Sequence, residues 1–297
     1  MGVFINFFIK TIAFLTATAL FFIILGFLIT YSFPDNGKMN SNKFTFSAGD
    51  RDSQNKIILI ELRGPILNEP SDFLEFSLID SIEAIYVSEF TKDLDEIEIE
   101  KPKVIIISIN SPGGSVSATY NLYNAIEKFK KNNQTKIFLH TNELLASGGY
   151  WAALASDRIY ANYGAMIGSI GVRGPDWIYY DNPISISTGI FGQTIETKDG
   201  IKKYKTIAGR SKDLFDSFRK PTKDEEESLQ NIVNGIYIDF VNTISKKRRI
   251  ESEFISEDLG ALIFDAKKAK ENYLIDDIKN LQEVISQVVK DLSLKDY

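Results

Sequence analysis

What most constrains this chain is a pair of short β-branched runs with apolar residues at successive positions. One is IILIELRGPI, which follows Lys56 and is ended by Gly64-Pro65; the other is KVIIISI at 103–109. Successive side chains of a strand point to opposite faces, so such runs need cover on both sides. They belong inside a sheet flanked by helices. Helical spans alternate with them, at 79–97, from about Ala118 to Lys131, and opening at ASGGYWAALAS. KIFLHTN at 136–142 reads as a third strand and Asp157-Arg158-Ile159-Tyr160 as a short fourth. The alternation predicts an α/β fold with a largely parallel sheet.

The C-terminal third reads as helical. Thr222 and Glu225 form a capping box. The helix they open carries Leu229, Ile232, Val233, Ile236, Phe240, Val241 and Ile244 on one stripe. It ends in Lys246-Lys247-Arg248-Arg249, which suits the negative end of a helix dipole. At the other end of the chain, Thr11 to Phe33 contains no charge. Its 23 residues reach about 34 Å as a helix, enough for a bilayer core. Ala17-Thr18-Ala19 has the form of a signal-peptide cleavage site, but the apolar run continues well past it, which favours an uncleaved anchor. Lys10 precedes the span and Lys38, Lys43 and Arg51 follow it, so loop charge leaves orientation open. The expected organisation is a tail at 1–10, an anchor at 11–33, a polar linker at 34–55 and a catalytic domain at 56–297.

Composition removes several functions. A net charge of −6 argues against nucleic-acid binding. With no cysteine, disulfides, thiolate metal sites and cysteine nucleophiles are excluded. His140 is the one histidine, and it lies among apolar neighbours in a predicted strand. Neither a metal nor a cofactor is expected.

Two glycine turns each follow a buried strand: Asn110-Ser111-Pro112-Gly113-Gly114 and Ala146-Ser147-Gly148-Gly149. In open α/β sheets, ligands gather at the carboxyl ends of strands. Paired glycines there let backbone N–H groups approach a substrate and stabilise an oxyanion. Ser147 would open a helix, as an N-cap or as a nucleophile. A serine nucleophile needs a base. A lysine serves only if burial lowers its pKa from about 10.4 toward 7–8. Lys198, Lys202, Lys203, Lys205 and Lys212 all lie downstream, and the residues alone do not choose among them.

From about Lys56 to Ile278 the chain resembles the signal peptide peptidase A family, in its short bacterial form, and the wider Clp protease and crotonase superfold. The resemblance is carried by ELRGPI, INSPGGSVSATYNLYNAI, ASGGYWAALASDRIYANYGAMIGSIGV and AGRSKDLFDSFRKPTKDEE. It implies a Clp/crotonase-like fold of repeated ββα units with a C-terminal helical part, preceded by one transmembrane helix. It places the nucleophile at Ser147, the general base at Lys212, the oxyanion-hole N–H groups at Gly114 and Gly148, and a lysine-orienting hydroxyl at Ser169. It also implies a serine endopeptidase with a Ser-Lys dyad, held in the cell membrane with its catalytic domain on the extracytoplasmic (periplasmic) side. Such an enzyme would form homo-oligomers and cut extended peptides such as cleaved signal peptides, with the lysine supplied in cis or in trans. Asp216-Ser217 departs from the family's usual Ser-Pro, and residues 172–205 align poorly. Three rivals share these residues: a crotonase-like acyl-CoA enzyme with carboxylate acid–base groups, a non-catalytic membrane-associated ring scaffold, and a His140-dependent hydrolase.

Overall fold

The computed structural model describes residues 2–32, 44–70, 83–180, 187–189, 192–194 and 204–294. The chain divides into two compact units, Met1–Arg51 and Asp52–Tyr297. In the first, helix α1 spans Gly2–Ser32 and so includes residues 2–10, read from sequence as a tail. Within it, Phe7–Leu25 has a mean hydropathy of 2.2 and is long and apolar enough to cross a membrane. Thr11, Thr16 and Thr18 donate their hydroxyls to the carbonyls of Phe7, Ile12 and Phe14. That removes the polar cost of threonine in an apolar helix. Linker residues 34–43 lie outside the described residues, and 44–55 form no helix or strand.

The second unit is built on a five-stranded parallel sheet in the order β1-β4-β5-β7-β12. Its strands are β1 (Ile57–Arg63), β4 (Val104–Asn110), β5 (Lys136–Thr141), β7 (Arg158–Ala161) and β12 (Asp277–Ile278). Strand β4 shows why the apolar runs have no alternation. Ile105, Ile107 and Ile109 face the main core, while Val104 and Ile106 face a second cluster with Phe138, Tyr160, Val284 and Val288. Both faces are dry, and each such aliphatic contributes about 1.5–3 kcal/mol by burial.

Helices α2 (Val87–Glu100), α3 (Val116–Asn133), α4 (Gly148–Ala153) and α5 (Lys223–Arg248) follow in chain order, with α6 (Ala266–Glu271) and α7 (Leu281–Asp291) after them. Of the helix expected at 79–97, residues 79–82 lie outside the described residues. Ile85–Tyr86 instead forms β3, because it pairs with β2 (Ile66–Leu67), and a tertiary partner overrides local helical pattern. A second layer is formed by β6 (Leu144–Ala146), β8 (Met166–Gly168) and β11 (Ile263–Asp265), with β6 and β8 parallel and β11 antiparallel to β8. The expected ββα unit, a long strand of the main sheet, a short strand of the second layer and then a helix, is complete in β5-β6-α4; after β4, single bridges of Gly114 to Ile66 and of Ser111 to Leu145 stand where a short strand would be. A small hairpin, β9 (Ser187–Gly189) with β10 (Gly192–Thr194), lies in the poorly aligned segment.

The C-terminal third differs from its sequence reading. Between its helices it returns β11 and β12 to the two sheets, and strands of two or three residues leave no periodic signature. The Thr222–Glu225 capping box forms. Along α5, Phe240, Val241 and Ile244 are buried, whereas Ile232 is exposed. The terminal basic cluster is a fastening: Lys247 pairs with Glu127, and Arg248 reaches Tyr273 O at 2.7 Å and Asp276 at 2.8 Å.

Candidate active site

The two glycine turns meet. Ser111, one residue past the end of β4, donates its N–H to Leu144 O at 2.8 Å and accepts from Ala146 N at 3.1 Å. The Asn110 side-chain oxygen gathers Thr141 Oγ1 and the amides of Asn142, Glu143 and Leu144, at 3.1, 3.1, 2.8 and 3.5 Å. The strand that ends at Ala146 is therefore tied to the turn after β4. Contact is so close that a Cβ on Gly113 would lie 2.8 Å from Gly148 N and 3.1 Å from Ser147 Oγ. Gly113 has φ +102°, so only glycine suits the position on both counts.

Ser147 occupies the N-cap position of α4 with φ 52° and ψ −124°, a conformation that is strained for a residue with a side chain. Its hydroxyl makes no capping bond. The capping role considered for it is therefore not used. The residue is held by its backbone: its N–H donates to Gly168 O at 2.9 Å, and its carbonyl accepts from Trp151 N at 3.0 Å. Gly148 opens the helix, so its N–H has no intrahelical acceptor. Gly114 is bridged to Ile66 through its neighbours, Ile66 donating to Gly113 O at 2.9 Å and Ser115 donating to Ile66 O at 3.0 Å. In an extended segment, alternate amides face opposite ways, so the N–H of Gly114 turns away from β2. Gly114, Ser147 and Gly148 line one cavity of about 240 Å³, with Trp151 and Phe240 in its wall. Those two rings stack with centroids 4.5 Å apart. No Asp or Glu lines this cavity among the described residues.

Ser169 follows the β6–β8 pairing of Ala146 with Gly168, which sets it in register beside Ser147. It is half-buried, and its N–H donates to Leu262 O at 2.7 Å. Lys212 is elsewhere. It is exposed, lies between positive-φ Ser211 and Phe215 in a run of turns, and does not line the serine's cavity. Its amine makes no ion pair or hydrogen bond among the described residues, whereas Lys205, Arg210 and Arg219 are paired. Lys205 contacts Asp213 at 2.5 Å and Asp216 at 2.8 Å; Arg219 contacts Asp213 at 2.8 Å and Glu225 at 2.7 Å. Arg219, then Lys205, hold the Asp213 carboxyl well below the usual range, and Arg219 does the same for Glu225. Arg219 also lies over Trp177 at 5.1 Å, and Tyr180 N donates to Ser217 O at 2.9 Å. The stretch 175–180 of the poorly aligned region is thus packed onto the lysine segment. A larger hollow of about 410 Å³, lined in part by Lys205 and Phe215, belongs to that segment.

His140 is fully buried in β5 and does not line the cavity. Its Nε2–H donates to Lys279 O at 3.1 Å, and burial lowers its pKa. It is a structural histidine. Sequence reasoning missed the part played by Asn110, whose signal was a polar residue ending an apolar strand. It also missed Trp151 and Phe240, which look like ordinary helix interior.

A model of peptidase family S49 matches residues 129–295, more than half of the chain, and a Clp protease model matches residues 75–148. The chain belongs to peptidase family S49. It is 28% identical over 258 residues to a putative signal peptide peptidase SppA of Enterococcus faecium, covering 86% of this chain and 70% of that one. It is 29% identical over 196 residues to a putative protease of Methanocaldococcus jannaschii, covering 66% of this chain and 58% of that one. Among solved structures, the 1510-N membrane-bound stomatin-specific protease aligns with a TM-score of 0.47 and 17% identity, over 79% of this chain and 84% of that chain. As an S49 member with protease-named relatives, the chain is a serine peptidase by class.

Proposed function

We propose that this serine peptidase is a membrane-tethered endopeptidase with Ser147 as nucleophile and Lys212 as general base. Its substrates are extended peptides at the membrane, remnant signal peptides among them, cut on the extracytoplasmic side. The observation that carries the reading is the elbow at Ser147. A strained backbone presents a hydroxyl not spent on capping, beside a cavity that also receives Gly114 and Gly148. In the proposed reaction, neutral Lys212 takes the Oγ proton as Oγ attacks the scissile carbonyl. The N–H groups of Gly114 and Gly148 hold the oxyanion, and Lys212 then protonates the leaving amine. Water releases the acyl group. Ser169 orients the lysine amine from its place in register beside Ser147.

The reading requires Lys212 to come to the serine, by closure of its own segment or from a second copy in a homo-oligomer. Its support is that the amine is uncommitted while the cations around it are tied down. Burial at that moment would also favour the uncharged amine a base needs. Fluorophosphonate labelling of the full-length protein in detergent micelles tests the nucleophile: labelling lost in Ser147→Ala supports it, and an unlabelled, folded wild type overturns it.

A further inference from the structure

The two halves of the proposed oxyanion hole stand on different turns. Gly114 belongs to the turn after β4, and Gly148 to the turn after β6. The bonds that fix one against the other lie where β4 ends and β6 begins. Strand β6 has three residues, and on the side away from β8 it meets the turn after β4 through an isolated bridge, Ser111 with Leu145. Beside that bridge stands a single side chain. Asn110, the last residue of β4, reaches across to the turn between β5 and β6. Its Oδ1 accepts from Asn142 N at 3.1 Å, Glu143 N at 2.8 Å, Leu144 N at 3.5 Å and Thr141 Oγ1 at 3.1 Å.

Successive N–H groups of a turn that converge on one point make a concavity suited to an anion. In this chain the guest is a neutral amide oxygen. The carbonyls of the same turn are bonded as well: Thr141 O accepts from Asn162 N, Glu143 O from Met166 N and Leu144 O from Ser111 N, each at 2.8 Å. The turn and β6 therefore move as one piece. Without the Asn110 oxygen, the amides must turn toward water, which shifts the start of β6, or stay unpaired at a cost of their own. Ser147 follows directly on the end of β6.

We infer that Asn110 is a positioning residue for the reaction: its side-chain oxygen, held by the β5–β6 turn, sets Ser147 and the Gly148 N–H against the Gly114 N–H. The inference rests on the reading of Ser147 as nucleophile with these two glycines as oxyanion donors. All four contacts use the oxygen as acceptor. The requirement is thus for an acceptor at that reach and not for an amide. An aspartate meets it, and a leucine of similar shape does not. Misplacing a reacting group by about 1 Å is enough to cost about 10²-fold in rate.

The test uses full-length protein in micelles, a fluorogenic peptide and a fluorophosphonate probe. Asn110→Leu is expected to lower kcat about 10²-fold and to slow labelling in proportion, while labelling still goes to completion. Asn110→Asp should retain kcat within about threefold of wild type, because it keeps the accepting oxygen. Where Asn110→Leu does not fold, Asn110→Ser, polar but too short to reach the turn, should show the same loss. Labelling that stops short in proportion to the lost activity would mean that the side chain only keeps the chain folded, and overturns the inference. So does an Asn110→Asp protein as slow as Asn110→Leu, or wild-type rates in Asn110→Leu and Asn110→Ser. Hydrolysis persisting in Ser147→Ala would instead strike the proposed nucleophile, so the two failures are distinct.

Discussion

The serine and the lysine stand on parts of the molecule that are built in different ways. Around Ser147, position is set by backbone hydrogen bonds, by glycines packed against one another and by a buried stack of rings. Around Lys212, position is set by a chain of turns and by ion pairs among Lys205, Asp213, Asp216, Arg219 and Glu225. The first part is complete within one chain; the second holds its amine out at the surface. Buried hydrogen bonds are indifferent to salt, whereas partly exposed ion pairs are screened by it. On the proposed reading, the nucleophile is preformed and the base would be delivered by a segment whose geometry responds to its surroundings.

The largest effect tests whether the two parts act as one unit. Ser147→Ala and Lys212→Ala are each expected to lower kcat/KM on a peptide by about 10⁴-fold, and the double variant no further. Full activity in a folded Lys212→Ala protein would separate the lysine from the chemistry. Next comes Gly113→Ala, whose Cβ would press on Gly148 N and Ser147 at φ +102°. A loss of about 10²–10³-fold is expected, the scale of losing an oxyanion-hole donor, with the same loss at low and high salt. Arg219→Ala should cost less, about tenfold, because ion pairs of this exposure are individually weak. Its signature is different: the wild-type rate should fall toward the variant's as salt rises, and proteases should cut first within 204–222. Salt-independent activity in wild type would mean that the ion pairs do not place the lysine.

The same division explains what could be read from the sequence. The parallel sheet was legible because Ile105, Ile106 and Ile107 form a short β-branched run buried on both faces, and a run that short and bounded suits a central strand rather than a helix. The serine turn was legible because consecutive glycines are seldom spent without a backbone reason. Lysine function has no such local mark. Lys205 and Lys212 are chemically alike, and they differ only in that one meets Asp213 and Asp216 while the other does not. Only the resemblance to a family singled out Lys212. Strands β11 and β12 escaped because two or three residues cannot show a period.

Acid provides the smallest and most selective test, since it should reach the two parts at different pH. Burial lowers the pKa of His140 in the folded chain, while the unfolded chain titrates near the ordinary histidine value of 6.5. Below that value the unfolded state binds a proton that the folded state resists. Stability is therefore complete above pH 6.5 and declines as pH falls below it, by at most about 1.4 kcal/mol per pH unit for one proton. Asp213 and Glu225 run the other way in cause but not in sign. Their folded pKa values are depressed by Arg219, so their contribution persists until pH drops below the ordinary carboxyl values of 3.8 and 4.5. The sheet beneath the serine should thus weaken first, between about pH 6.5 and 5, and the ion pairs of the lysine segment only in stronger acid. Urea unfolding of the wild type against His140→Leu, measured across pH 7.5 to 5, checks this. The variant should show a flatter dependence on pH whatever its absolute stability, and a slope as steep as the wild type's would mean that His140 is not the group that acid reaches first.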